Sequence, residues 1–469
     1  MDKSKLELGT ADLPKAPPLR KLIGPSFIIL GLGLGSGEVV LWPYMASNYG
    51  LGVVWGMLIG ITMQFFINME VERYALINGE SVFVGFARLL KWLPIWFIIS
   101  TFLGFGWPGI GLYGATLLSH VFGIDNPSLV GVGVFVVIGL ILSFGKVVYK
   151  TVEQLQKYIV GIGVPFIVIL TYYLADWSDV GALIQGLSGQ GEVNGESYFF
   201  LPLGIAMGTF LGALAYAGAG GNLNLTQSCY VRDKGYGMGK YAKKITSLFS
   251  SDSTPNNFKL SGTTFPITKE NLKRFDQWWK TINAEHLMVF WGLGLFTMLS
   301  LSLLAYITTF GMEGNTEGIT FVINESKAIA QQTMPLFGTL FLVIAGIMLC
   351  ATQLTVLDST SRIMTENFLL LSNTENPNVS KVYFVVLWTQ IIFGITVFLL
   401  GFNQPLTLIV LGAMINAFSM FVYTGIMLWL NNRSLAKELR PRLWRNLVMW
   451  FTFLFFGVFC VITMIDKLG

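Results

Sequence analysis

The chain has 469 residues, of which 53% are hydrophobic and only 12% charged, and its mean hydropathy is +0.63; such values exclude a soluble globular domain and point to a polytopic, all-α membrane protein. The formal net charge of +4 follows from where the basic residues fall along the chain, and it implies neither an acidic partner nor nucleic acid.

Residues 1–23, with Lys3, Lys5, Lys15, Pro17, Pro18 and Arg20 and no apolar run, read as a short cytoplasmic tail and not as a cleavable signal. Apolar stretches of about 20 residues, enough to cross a bilayer as helix, then recur to the end of the sequence. About eleven meet that criterion, near 24–46, 51–77, 94–119, 127–145, 157–175, 200–233, 284–310, 331–370, 379–401, 404–430 and 445–466. With the N-terminus inside, the connections 78–93, 146–156, 234–283, 371–381 and 431–444 are cytoplasmic and, together with the tail, hold most of the 30 Lys and Arg residues; only Lys327 and Lys467 fall on the outer side of the membrane. The connection 176–199 carries Asp176, Asp179, Glu192 and Glu196 without a basic residue, and 311–323 carries Glu313 and Glu317. Both suit the outer side under the positive-inside rule, and a bacterial inner membrane is the expected location.

The expected organisation is a tail (1–23), a core (24–430) made of repeats at about 24–176 and 200–430 with a polar cytoplasmic loop at 234–283, and an extra C-terminal helix within 431–469. Within the loop, Thr268 precedes Leu272, Phe275, Trp278 and Trp279 at helical spacing with basic residues between, which predicts an amphipathic helix on the inner membrane surface. The stretch before it mixes Ser, Thr, Asn and Pro and reads as loop. Cys229, Cys350 and Cys460 sit in apolar segments without paired spacing and read as packing residues. His120 and His286 are isolated and suggest no nucleophilic catalysis. No enzyme activity and no cofactor are expected.

The segments that carry chemistry are the first and the sixth. "LGLGLGSGEVVLWPYMASNYG" (30–50) interrupts an apolar helix with glycines and places Glu38 near its middle; "LAYAGAGGNLNLTQSCYVRDKGYGMG" (214–239) does the same with Gly218, Ala219, Gly220, Gly221, Asn222 and Asn224. Glycine lowers helix stability by about 1 kcal/mol relative to alanine, and non-helical backbone inside a membrane is tolerated only where protein or a water-filled cavity satisfies it. Glycines alone also serve close helix packing. The embedded Glu38 and the two asparagines favour a binding role, because an intramembrane carboxylate is costly and is usually paired, protonated or functional. Two similar interruptions five helices apart are the mark of an inverted-repeat transporter. Further embedded polar residues are Gln353, Asp358 and Asn416. Asp358 and Arg362, four apart on a helix, read as a structural ion pair, and Gln64, Asn68, Glu70, Glu72 and Arg73 as a cluster near the cytoplasmic end of segment two.

The order of these pieces, a broken first segment followed by "WGMLIGITMQFFINMEVERYALINGES", a sixth with "GGNLNLTQS" and an eighth with "ATQLTVLDSTSRIMTENFL", resembles the Nramp family of divalent-metal transporters over about 24–430. The resemblance implies a LeuT-like five-plus-five inverted repeat with helices 1 and 6 broken. In that family the first break carries Asp-Pro-Gly-Asn, whose Asp and Asn bind the metal; here the matching stretch is Gly35-Ser36-Gly37-Glu38, so the carboxylate moves to the Asn position. The family's methionine position holds Ala219 and its histidine position Gly221, next to Asn222. The embedded acid of segment three and the arginines of segment nine, tied to proton movement in the family, are absent. An all-oxygen site suits harder cations such as Mg²⁺ or Mn²⁺. The expected ligands are Glu38, Asn222 and backbone carbonyls near Leu32 and Tyr216, with Gly35, Ser36, Gly37, Gly218, Ala219, Asn224, Gln353 and Asn416 lining the path. The rival expectation is a sodium- or proton-coupled carrier of a small organic solute on the same scaffold. A membrane sensor regulated through 234–283 is a third.

Overall fold

The structure is a computed structural model and describes residues 7–19, 22, 24–144, 147–242, 260–316, 318–372, 378–402 and 404–468. Lys3, Lys5, Arg20, Glu317 and the whole of 243–259, the greater part of the Ser/Thr/Asn-rich loop, lie outside these residues. Among the described residues ten helices are long and apolar enough to cross a membrane: segments one to five at Pro25–Tyr49, Leu51–Asn78, Leu93–Phe122, Pro127–Phe144 and Val148–Leu174, and segments seven to eleven at Lys269–Thr309, Pro335–Leu371, Val379–Leu399, Pro405–Ser434 and Leu443–Ile465. The sixth segment runs between them in pieces, as helix Met207–Ala215, a 3₁₀ stretch Gly221–Thr226 and helix Gln227–Lys234. This gives the expected eleven segments, two sets of five plus one.

Helix starts follow local chemistry. Proline, which has no N–H to leave unpaired in a first turn, opens segments one, eight and ten. Asn378 caps segment nine, its Oδ1 accepting from the Lys381 N–H at 2.9 Å. Depth within the bundle differs sharply. The apolar window of segment one is 94% buried against 28% for segment eleven, so segment one is the centre of the bundle and segment eleven a peripheral helix against segment ten.

The connections hold more structure than apolar periodicity indicates. Short helices occupy Val82–Leu89, Trp177–Leu187 and Thr320–Gln332, and Gln190–Val193 pairs with Glu196–Phe199 as a hairpin. Its turn, Asn194-Gly195, has positive φ at both residues (54° and 80°), the combination that two-residue hairpins require. The hairpin is tied over the end of segment one: the Tyr198 hydroxyl donates to the Tyr49 carbonyl at 2.6 Å.

On the opposite face, which we call the basic face, Gly9–Thr10 pairs in parallel with Thr263–Thr264. The helix predicted after Thr268 is present at Lys269–His286, with Thr268 Oγ1 accepting from the Asn271 N–H at 3.2 Å. Its apolar face is covered by the chain itself. Trp278 is buried, donates from Nε1 to the Pro14 carbonyl at 2.8 Å and packs on Tyr236. Residues 12–14 therefore lie against this helix, which the sequence places on the inner membrane surface.

Candidate functional site

The two interruptions take different forms. Segment one does not unwind: its α-helix passes at Leu34–Leu41 into a π-helix and resumes at Trp42. Leu32 thus lies in helical backbone, and the expectation of free carbonyls there is corrected; a π-stretch widens the turn and keeps its hydrogen bonds inside the segment. Segment six does break. Helix stops at Ala215, and Gly220 and Gly221 adopt φ values of +75° and +47°, which β-carbon-bearing residues avoid.

Backbone freed inside a membrane needs partners, and Gln64 of segment two supplies them. Its Nε2 donates to the Ala215 and Leu214 carbonyls at 3.0 and 3.3 Å, and its Oε1 accepts from the Gly220 N–H at 3.0 Å and from Asn224 Nδ2 at 3.2 Å. Asn224 Nδ2 also reaches the Tyr423 hydroxyl at 3.0 Å. Gln64 is therefore a strut of the break and not a member of a polar cluster at the helix end. Replacing it with leucine strands these groups, at about 1–3 kcal/mol each for buried unpaired polar groups. Thermal melts of detergent-solubilised Gln64→Leu should fall clearly below the wild type; an unchanged midpoint would contradict the strut role.

The glycines of segment one serve close approach. A Cβ at Gly33 would stand 3.0 Å from Gly218 backbone, one at Gly37 would run into the Tyr216 carbonyl oxygen, and one at Gly35 would lie 2.5 Å from Thr352 Oγ1. The two interruptions are pressed together, backbone on backbone, with Glu38 one residue beyond the contact.

Glu38 is 1% exposed, and its Oε2 is buried without a hydrogen-bond partner. Its Oε1 approaches Gly294 at the start of the last helical run of segment seven, beside Ile61 and Leu30. Asn222 points elsewhere, donating from Nδ2 to Ser100 Oγ at 2.8 Å and Thr101 Oγ1 at 2.9 Å, with Oδ1 unpartnered. Asn416 donates from Nδ2 to the Tyr216 hydroxyl at 2.9 Å and to the Gly104 carbonyl at 3.0 Å. Gln353 Oε1 accepts from the Gly111 N–H at 3.0 Å. No hydrogen bond joins Glu38 to Asn222, Gln353 or Asn416. The Tyr216 residue links the groups: its carbonyl lies against Gly37, its hydroxyl meets Asn416, and with Gln353 it lines a small cavity. Ser36 and Ala219 are buried at the same level.

That cavity exposes a feature the sequence reading passed over. Segment three is also interrupted, between helices Leu93–Phe105 and Gly109–Phe122, and Gly104, Phe105, Trp107, Gly109 and Ile110 form one wall of the cavity. The signal was Gly106-Trp107-Pro108-Gly109, since proline removes a helix donor and restricts the residue before it.

Asp358 and Arg362 pair as expected, Nε donating at 2.9 and 3.0 Å. The pair belongs to a larger network. Arg362 also bonds Asp233 of segment six, and Asp358 accepts from the Tyr383 hydroxyl at 2.6 Å and the Tyr230 hydroxyl at 3.0 Å. Removing one partner of a buried network leaves uncompensated charge, at about 3–5 kcal/mol. Arg362→Met should therefore lower folded yield and melting temperature strongly, whereas retention of both would show the network to be dispensable.

No family model matches the chain, and no curated protein matches its sequence. Solved structures do. A point mutant of the Eremococcus coleocola manganese transporter superposes with a TM-score of 0.67 at 14% identity, covering 97% of this chain and 89% of that one. MhsT in complex with L-phenylalanine gives 0.54 at 14% identity (94% and 97% covered), and Mhp1, a nucleobase-cation-symport-1 family transporter, 0.58 at 13% identity (99% and 93%). At such identities the likeness speaks for the fold, which is the LeuT-like inverted repeat of membrane transporters.

Proposed function

We propose that this protein carries a divalent metal cation across a bacterial inner membrane by alternating access, with its N-terminus in the cytoplasm and Glu38 as the charged ligand. The observation that carries the reading is the buried, unpartnered Glu38 Oε2 beside the junction of the two interruptions, because an uncompensated intramembrane carboxylate calls for a cation. The Tyr216 carbonyl, next to Gly37, supplies a second oxygen, and rearrangement about the sixth-segment break brings Asn222 Oδ1 toward it. Oxygen ligands without thioether sulfur favour harder ions such as Mg²⁺ or Mn²⁺. Likeness to a manganese transporter agrees with this choice. The absence of the acid of segment three and the arginines of segment nine argues against the family's route of proton coupling.

One observation favours a second reading. The fold likeness extends to MhsT in complex with L-phenylalanine and to Mhp1, and the cavity at the third-segment interruption, which has Phe105, Trp107, Ile110, Val356 and Leu408 in its lining, measures only about 10 Å³ and would have to open to take an organic solute. Uptake of Mg²⁺ or Mn²⁺ into proteoliposomes, measured with an entrapped metal-sensitive dye beside a panel of labelled amino acids and nucleobases with and without Na⁺, separates the two. Metal uptake without Na⁺ supports the first; Na⁺-dependent organic uptake without metal uptake replaces it.

A further inference from the structure

A second set of buried ionisable groups lies on the basic face, apart from Glu38. Glu285 and His286 occupy the end of helix Lys269–His286, the first part of segment seven, Glu72 lies on segment two, and Ser26 in the first turn of segment one. All four are at most 2% exposed. Ser26 Oγ bonds Glu285 Oε2 and lies 2.8 Å from His286 Nδ1. His286 Nδ1 in turn stands 3.8 Å from Glu72 Oε1, which also accepts from Gln227 Nε2. Gly24 N–H donates to Glu285 Oε1 at 3.4 Å.

Donor and acceptor rules fix the direction of this chain. An ionised Glu285 only accepts, so Ser26 donates to it and must receive the His286 Nδ1–H. Two positions are left for another proton: His286 Nε2 and Glu72 Oε2, both buried without a partner. Surrounding charge calls for one. The neighbouring cations Lys157 and Lys234 both pair with Glu153, at 2.6 and 2.7 Å, so that trio is singly positive while Glu72 and Glu285 together would be doubly negative. Asp233, on the segment-six side, is taken up by Arg232 and Arg362. Tyr149 and Tyr236 complete the surroundings. The Tyr236 hydroxyl, outside the spanning helices, is pushed above its ordinary value first by burial and then by Glu285, Glu72 and Glu153. Two carboxylates in one dry cluster share protons as a pair and do not titrate independently.

We infer that Glu72, His286 and Glu285, bridged by Ser26, form a proton-binding site that holds one exchangeable proton on the basic face of the bundle. It uses none of the positions that the family resemblance ties to proton movement. Two physical links join it to the sixth-segment break. His286 stacks on Phe290 with ring centroids 4.7 Å apart, and the Phe290 ring edge lies against Gly218. Along segment two, Gln64, Asn68 and Glu72 follow at four-residue spacing on one helix face; Asn68 has both side-chain polar atoms buried and unpartnered, and Gln64 is the strut of the break. The proton site itself is independent of which solute moves, but its use as a driving ion rests on the transporter reading.

The test is a pH titration of full-length protein in liposomes by infrared spectroscopy, following the carbonyl absorption of protonated carboxyl groups without any metal. A titrating band is expected in the wild type and in Glu38→Gln, and its loss in Glu72→Gln and in Glu285→Gln. In His286→Gln it should shift by about one pH unit or more, as expected when a coupled partner is removed. The same band in both glutamine variants would overturn the site. Should those variants fail to fold, Ser26→Ala breaks the bridge without removing a charge; a shifted titration supports the site and an unchanged one refutes it. Failure of metal uptake in the separate transport assay would remove the metal reading and leave the infrared result standing.

Discussion

Glu38→Gln is expected to reduce Mg²⁺ or Mn²⁺ uptake in proteoliposomes by about 100-fold or more, the equivalent of about 2.7 kcal/mol of lost cation stabilisation. Glutamine keeps the shape and one oxygen but removes the charge that offsets a cation's dehydration. Stability should move the other way. Glu38 sits among Ile61, Leu30 and Gly294 with an unpartnered oxygen, so a neutral side chain relieves the cost of burying an ionised one, and the melting temperature of the variant should equal or exceed that of the wild type. Lost uptake in a stable variant marks a ligand. Lost uptake together with lost folding would make Glu38 a structural residue, and undiminished uptake would remove it from the site.

A second large effect is expected from a single methyl group. Gly37→Ala drives a Cβ into the Tyr216 carbonyl oxygen, a backbone atom that no side-chain rotation can move aside, and overpacking of this kind costs about 1–3 kcal/mol. Because the same contact presses segment one against the sixth-segment break, transport should fall along with stability. Gly133 and Gly161 provide the control. Both lie in helices with nothing within 4 Å of an added Cβ, so alanine there should leave stability unchanged or raise it by up to about 1 kcal/mol. Melting curves for the three variants check the contrast; equal midpoints for Gly37→Ala and Gly161→Ala would contradict the packing described for the first interruption.

The architecture was legible because a bilayer imposes a length and a composition on every segment that crosses it, and because glycine clusters in segments one and six stand out in apolar surroundings. Other features were present as local signals and passed over: Asn194-Gly195 specifies a hairpin turn, and Trp107-Pro108 an interruption of segment three. What could not be read locally is contact between distant residues. Nothing in "GLGSGEVVL" distinguishes an unwound strand from a π-helix, since the choice depends on Tyr216, Gly218 and Thr352 pressing on Gly37, Gly33 and Gly35. Gln64 looks like one more polar residue on segment two until the break in segment six folds against it. His286 looked isolated because its partners, Ser26 and Glu72, are more than 200 residues away in sequence.

The most direct test of the account is calorimetric titration of the purified protein with Mg²⁺, Mn²⁺, Ca²⁺ and Cd²⁺, wild type beside Glu38→Gln. Binding heat is expected with Mg²⁺ or Mn²⁺, with a weaker response to the softer Cd²⁺, and all of it should be lost in the variant. Absence of heat with every metal, or heat that survives the substitution, would contradict a cation site at Glu38 and leave the fold to a carrier of another solute.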